Sequence, residues 1–452
     1  MTTRLRDDRT ATEAASEADT GDATTIDFRD PAFLETAYDT YAKLRADGPV
    51  SRVHFARDEP ADDQDRRRQE LFAPEAYLVT HYDEGTEALL DNRFSVDRLQ
   101  SMSPEQRAEF ERAVEADAQF LPLRRNLLSV DPPDHTRLRK LVQPSFTARA
   151  MEALKPRIRQ IAEELLDNAE REAAARGESA PNRTMDLVPA FAYPLPVTVI
   201  SEMVGIPVED RARVRFWTEN LLRADRADRE AVAETRERIG EFTEYLKALF
   251  ERRRHDPVDD LVSQLVQAEE DGDKLDEDEL LAMVFIVYIA GFVTTVNLIG
   301  NGVVALLTHP DQLARFKADP SLASNVVEET LRYWGPAEAT LPRTATQDVT
   351  IGETVIAQGN QLMVSLASLD RDPERFANPD TYDIMRDDAN RHVAFGKGIH
   401  VCLGAPLARV EGQIAFDVLF GRYPDLRLAV PEDEIRWNAG FLRGFGSVPL
   451  LF

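Results

Sequence analysis

The run Phe395-Gly396-Lys397-Gly398-Ile399-His400-Val401-Cys402-Leu403-Gly404-Ala405 carries the only cysteine of a 452-residue chain and leads directly into an apolar helical stretch. Glycines around the sulfur let a flat ligand approach the backbone. A thiol at a helix start lies near free N–H groups and the positive end of the helix dipole, which favour the thiolate, the form that ligates metals. One cysteine excludes an internal disulfide, a Cys-x-x-Cys redox site and a cysteine-held iron–sulfur cluster, so electrons must come from elsewhere. Gly396 and Gly398 open a Gly-x-Gly, but Val401 stands where the third glycine of a dinucleotide fingerprint belongs.

The balance of the chain is acidic, with 54 Lys plus Arg against 81 Asp plus Glu and a formal charge of −27, a surface that repels nucleic acid and anionic lipid. Residues 1–27 are polar, without the apolar core of a signal peptide or anchor, and read as a disordered acidic tail on a cytoplasmic protein. No linker or fixed-period repeat divides the remainder, so residues 28–452 read as one domain. Short apolar runs at Val50–Phe55 and Ala76–Thr80 predict a hairpin of a minor β part, with the charged stretch Ala56–Glu70 a solvated insertion between them.

Apolar residues at three- and four-residue spacing predict helices over Met151–Ala174, Thr235–Arg253 and Asp259–Glu269, which makes the fold mostly α with minor β. Leu280–Thr308 lacks any formal charge and is long enough to cross a bilayer. Thr294, Thr295, Asn297 and Asn301 in its middle, and the acidic lead-in Leu275–Glu279, instead predict a helix buried all round, about 40 to 45 Å long. Val326–Arg332 places Glu329 and Arg332 three apart on one helix face.

The cysteine run resembles the haem-binding loop of the cytochrome P450 family, Phe-x-x-Gly-x-x-x-Cys-x-Gly, and Phe395, Gly398, Cys402 and Gly404 match each fixed position. Ala405–Arg409 resembles the helix that follows in soluble bacterial members, and the resemblance runs from about residue 30 to Phe452. It implies the fold of that family, a long central helix over a haem with a small β-rich subdomain. It also implies haem b as cofactor, with Cys402 as its metal ligand and Gly396 beside it. Glu329 and Arg332 correspond to the structural Glu-x-x-Arg pair, and aligning Phe376–Arg386 on the family's meander gives the third member as Arg386, leaving Arg375 a coincidence. His135 and Arg139, four apart after Asp131-Pro132-Pro133, resemble the early haem-contacting helix, and with Arg343 and His400 they are candidates to meet the two haem carboxylates.

On the opposite face the family has Ala-Gly-x-Glu/Asp-Thr-Thr, in which the acid feeds protons and the following threonine supports oxygen activation. Here the run is Ala290-Gly291-Phe292-Val293-Thr294-Thr295. Ala290 and Gly291 leave room above the haem and Thr294 keeps the hydroxyl, but Val293 cannot exchange protons, so water, a substrate hydroxyl or another side chain must deliver them. Pocket positions implied by the resemblance are Phe120, Leu121, Ile286, Ile289, Ala290, Phe292, Val293, Ala337 to Leu341 and Phe441, with Glu338 read as a solvent-facing carboxylate or, failing that, as the partner of a polar or cationic group. These imply a monooxygenase that inserts one oxygen atom of O2 into a hydrophobic small molecule, such as a secondary metabolite, steroid or fatty acyl compound. Electrons would come from a separate ferredoxin and ferredoxin reductase, with Arg137, Lys140 and Lys397 as basic contacts and neither nucleic acid nor membrane as partner. Two alternatives stay open: a peroxide-using peroxygenase or coupling and desaturation enzyme, and a non-catalytic haem sensor or ligand-binding protein.

Overall fold

A computed structural model describes residues 24–28, 30–56, 66, 75–97, 102–113, 120–218, 229–268, 274–438 and 440–452. Residues 1–23, and all of the Ala56–Glu70 stretch except Ala56 and Arg66, lie outside the described residues.

Helices dominate the described chain. The sequence-predicted ones form over Ala148–Ala175, Arg229–His255 and Leu261–Gln267, and two are fixed at their starts by side chains accepting from backbone N–H groups, Thr147 from Ala150 and Asp260 from Ser263. The charge-free segment is part of a 32-residue helix, Glu277–Thr308, here the central helix. Its acidic lead-in acts as a capping box: Asp276 accepts from the Glu279 N–H while the Glu279 carboxylate accepts from the Asp276 N–H. Although long and apolar enough to span a bilayer, this helix is covered by neighbouring helices along most of its length, which is why its apolar residues run all round it.

The β part is a six-stranded sheet in the order Thr24–Ile26, Val50–Phe55, Glu75–Val79, Gln361–Val364, Arg343–Ala345, Phe94–Ser95. The expected hairpin is present, with Val50 opposite Val79 and Ser51 opposite Leu78. Thr24–Ile26, assigned to the tail from sequence, instead pairs parallel with Val53–Phe55 and buries Ile26 completely. Too short for a periodic signal, it is held by its neighbour strand rather than by propensity.

The helix carrying the cysteine's continuation, Ala405–Arg422, crosses the central helix, the Ala148–Ala175 helix and the helix Ala323–Trp334. Small residues allow this approach. A side chain at Gly302 would collide with the Phe416 ring, and one at Gly412 would press on Val327 Cγ2 at 3.0 Å and Leu298 Cδ2 at 3.4 Å.

Two carboxylates of Ala323–Trp334 anchor the chain that presents the cysteine. Glu329 is fully buried and accepts both Arg332 Nε (2.7 Å) and Nη2 (2.8 Å), with Arg386 Nε at 3.6 Å and the Asp383 N–H at 2.8 Å. The remaining Arg332 donors reach the carbonyls of Asp370, Pro379 and Thr381. Arg375 lies apart, 3.8 Å from Asp388. Glu328 accepts Arg409 Nε at 2.6 Å and Nη2 at 3.0 Å, with His392 Nε2 at 3.2 Å. Burial pushes the Glu328 carboxyl up, but hydrogen bonds from His392 and Arg409 outweigh it and hold the group at about 2, below its ordinary 4.5.

A carboxyl depressed on folding contributes stability above its unfolded value of 4.5, and that contribution is lost as pH falls through about 2. Glu328→Gln is therefore expected to lower unfolding free energy at neutral pH by about 2 kcal/mol. Urea titrations should show the gap to the unmodified protein closing below about pH 3, and a gap independent of pH would refute the assignment. Arg332→Lys, which cannot reproduce the forked contacts, is expected to lose about 3 kcal/mol in the same titration at neutral pH.

Candidate active site

The cysteine loop closes on itself before its helix begins: the Cys402 N–H donates to Phe395 O at 2.9 Å and the Gly396 N–H to Val393 O at 2.7 Å. Gly396 and Gly398 hold φ of +69° and +75°, the left-handed region that favours glycine. At Gly398 the need is also steric, since a Cβ there would stand 2.8 Å from the Leu89 carbonyl. From the other side, Arg139 Nη1 donates to Val401 O at 2.7 Å and Ile399 O at 3.4 Å, so a helix more than 250 residues earlier fixes the loop.

Cys402 opens into a largely apolar cavity of about 360 Å³ between this loop and the central helix. The sulfur is exposed to the cavity while the surrounding chain largely desolvates it. Burial therefore raises the Cys402 thiol above its ordinary 9.0, against the opposing pull of the Gly404 and Ala405 N–H groups and of Arg139 and Arg409. The helix start does favour the thiolate, as expected, but alone it does not overcome desolvation.

Ile286, Ala290, Gly291 and Thr294 form the central-helix wall, with Ala290 exposed to the cavity. The Thr294 hydroxyl is held at 3.3 Å by the Ala290 carbonyl one turn back. Gly291 owes its size to a neighbouring helix rather than to the cavity: an added Cβ would lie 3.0 Å from Ile200 Cδ1 on Pro194–Val204.

His135, Arg139, Arg343 and His400 converge on the rim. The His135 and His400 rings stand 4.4 Å apart, and Nε2 of each is buried without a hydrogen-bond partner among the described residues. His400 Nδ1 faces Leu127 O at 3.1 Å. Burial lowers His135 to about 4, with further lowering from His400 and Arg139. Arg343 is 6% exposed, donates to the Leu89 carbonyl at 3.2 Å, and is lowered by desolvation, with Asp131 the one charge drawing it back. Asp131, expected only as part of a helix start signal, accepts from Ser95, Val96 and Asp97, and lies 3.8 Å from His400 Nε2.

Buried cations and unpaired imidazole nitrogens on one edge are short of anions, and an exposed sulfur on the floor is short of a cation. A porphyrin with two carboxylates and a central iron satisfies both, so the site is that of a haem-thiolate protein.

Comparison with known proteins agrees. The cytochrome P450 family model matches residues 98–424. The chain is 42% identical over 425 residues to cytochrome P450 107B1 of Saccharopolyspora erythraea, covering 93% of this chain and 96% of that protein. It is 42% identical over 420 residues to the cytochrome P450 monooxygenase PikC of Streptomyces venezuelae, covering 92% and 91%. The solved structure of the Bacillus subtilis bacillaene polyketide synthase cytochrome P450 PksS superposes with a TM-score of 0.80 at 38% identity, covering 94% and 98%. The chain belongs to the cytochrome P450 family. It is accordingly a haem b monooxygenase that acts on a hydrophobic substrate with O2 and receives electrons from redox partners.

Several expected pocket residues lie elsewhere. Ile289 and Phe292 are in the core, Phe292 against Tyr193 and Tyr288 at 5.7 and 5.8 Å, and Val293 packs partly buried on the same core. On the central helix the cavity takes two adjoining rows, Ile286, Ala290, Thr294 and Leu298 beside Val287, Gly291 and Thr295, and Ile289, Phe292 and Val293 fall outside them. Phe441 packs on Phe28 at 5.3 Å, and Phe120 and Leu121 precede the turn Pro122–Arg124, which lies along the central helix; none of the three lines the cavity. Of Ala337 to Leu341, only Ala337, Thr340 and Leu341 face it. Glu338 is fully buried rather than solvent-facing, accepting from Arg443 Nε at 2.5 Å and Tyr41 at 2.9 Å. Arg137 pairs with Glu279 and stays partly exposed. Leu127, Phe146, Leu366 and Leu407 also line the cavity, placed by tertiary packing that leaves no local sequence signal.

Arg343→Ala is expected to weaken haem retention about tenfold, measured as pigment lost to excess apomyoglobin, while near-ultraviolet dichroism stays unchanged. Retention equal to the unmodified protein would show that Arg343 does not meet a haem carboxylate.

Proposed function

We propose that this enzyme hydroxylates or epoxidises an apolar small molecule of the polyketide class, using electrons from a separate ferredoxin and its reductase in the cytoplasm. The observation that carries this reading is the continuous apolar cavity running from the Cys402 sulfur past Ala290 to Leu341. The kinship with a polyketide synthase cytochrome P450 supports the substrate class. From the Thr24–Ile26 strand to Phe452 the chain acts as one domain, since that strand joins the six-stranded sheet.

Haem bound through the Cys402 thiolate supplies O2 activation, and the sulfur's electron donation favours O–O cleavage. The protein's own residues do the rest. His135, Arg139, Arg343 and His400 would hold the haem's two carboxylates at the rim, and the Phe395–Gly404 loop presents the sulfur to the cavity. The small Ala290 leaves space for the substrate carbon, Ile286, Ala337 and Leu341 orient it by contact, and Thr294 offers its hydroxyl to the reacting oxygen. Lys397 and Lys140 serve as basic contacts for an acidic ferredoxin.

A second reading has a specific observation behind it. Val293 supplies no proton and packs on the core, so an enzyme fed by peroxide, which arrives already reduced and protonated, is the competing case. Reduced carbon monoxide spectra establish thiolate ligation in either case. Turnover of an apolar polyketide with NAD(P)H, ferredoxin and reductase is expected to exceed peroxide-driven turnover at least about tenfold. The reverse ratio would establish the peroxygenase reading.

A further inference from the structure

Between the helix end at Trp334 and the strand start at Arg343 the chain has no regular element beyond the single bridge of Ala337 to Leu442, yet Ala337, Thr340 and Leu341 form one wall of the cavity. The position of that wall therefore comes from what stands behind it. Glu338 turns away from the cavity into a buried cluster, where its carboxylate accepts from Arg443 Nε at 2.5 Å and from the Tyr41 hydroxyl at 2.9 Å. Tyr41 belongs to the helix Pro31–Asp47 and Arg443 lies ten residues from Phe452, so segments near both ends of the described chain meet behind the wall.

Arg443 is itself fixed. Its Nη1 donates to Leu34 O at 3.2 Å and its N–H to Pro336 O at 2.7 Å, while its guanidinium lies over the rings of Tyr38 and Trp437 at 4.6 and 4.7 Å. Asn301 of the central helix joins the cluster by donating to Trp334 O at 2.8 Å and Arg443 O at 3.3 Å.

Opposite charges withdrawn together from water add little net stability over apolar side chains of the same volume. What the forked, charge-assisted contacts do supply is a single geometry. We propose that Glu338 is a positioning residue for substrate: held between Arg443 and Tyr41, it sets how far Ala337 and Leu341 reach into the cavity and so which face of an apolar molecule they press toward the reacting oxygen. The inference rests on the substrate-orienting role proposed for Ala337 and Leu341 and deepens it, adding the amino-terminal helix to the determinants of specificity. A wall fixed from behind gives a rigid ligand a complementary surface, whereas a loosened wall yields and loses contact with it.

Two azoles test this on the haem-loaded enzyme without turnover. Both bind iron through an imidazole nitrogen and are titrated by the shift of the haem absorption band. 4-Phenylimidazole carries a rigid apolar ring further into the cavity than imidazole does. Tyr41→Phe removes one bond to Glu338, and the double variant Glu338→Leu/Arg443→Met replaces the charge pair with apolar groups of similar volume. Urea midpoints of both variants are expected to stay near that of the unmodified protein. Preference for 4-phenylimidazole, read as the ratio of the two dissociation constants, should fall about threefold in Tyr41→Phe and at least about tenfold in the double variant, with imidazole affinity unchanged. An unchanged preference, with or without a lowered midpoint, would overturn the inference, as would equal weakening of both azoles, the mark of a general loss of the haem pocket. If the double variant does not fold, an unchanged preference in Tyr41→Phe decides against it. Failure of the unmodified enzyme to oxidise an apolar polyketide would instead remove the proposed function, and leaves the azole result to stand.

Discussion

A thiol desolvated by the protein around it resists losing its proton, and the architecture around Cys402 follows from that resistance. Two backbone N–H groups at the helix start and two arginines pull the sulfur toward the thiolate, yet burial still dominates. What completes the balance is a cation brought directly to the sulfur, as iron would be. The site is therefore poised to bind the cofactor, because the protein's own charges bring the sulfur only part of the way. The same incompleteness appears at the rim, where Asp131 alone offsets the burial of Arg343 and Nε2 of His135 and of His400 lacks a hydrogen-bond partner among the described residues. Floor and rim are short of opposite charges, and one molecule with a cationic centre and two carboxylates supplies both.

Holding the loop in place demands rigidity from distant parts of the chain. Glu329 and Arg332 are buried together with every forked contact used, and Arg332 also gathers three carbonyls of the segment that follows Asp370. Glu328 performs the parallel task for the cysteine helix through Arg409. Such pairs add little net stability over an apolar core, but they set one geometry and penalise every other. Arg139 then ties the helix Asp134–Val142 to the loop's carbonyls, so the cofactor's two edges are fixed by the same frame.

How much of this was legible in the sequence follows the length scale of each feature. The cysteine loop was readable because its requirements are local: left-handed glycines, a sulfur, then a helix start. The central helix was readable because burial all round leaves an apolar composition, and the Val50–Val79 hairpin because its strands alternate. Thr24–Ile26 was misassigned because three residues carry no period of their own and a partner strand supplies their order. Ile289, Phe292 and Val293 were taken as pocket residues from the family resemblance, whereas helical geometry turns them toward the core. Glu338 looked like a surface carboxylate because its partner Arg443 lies over a hundred residues away.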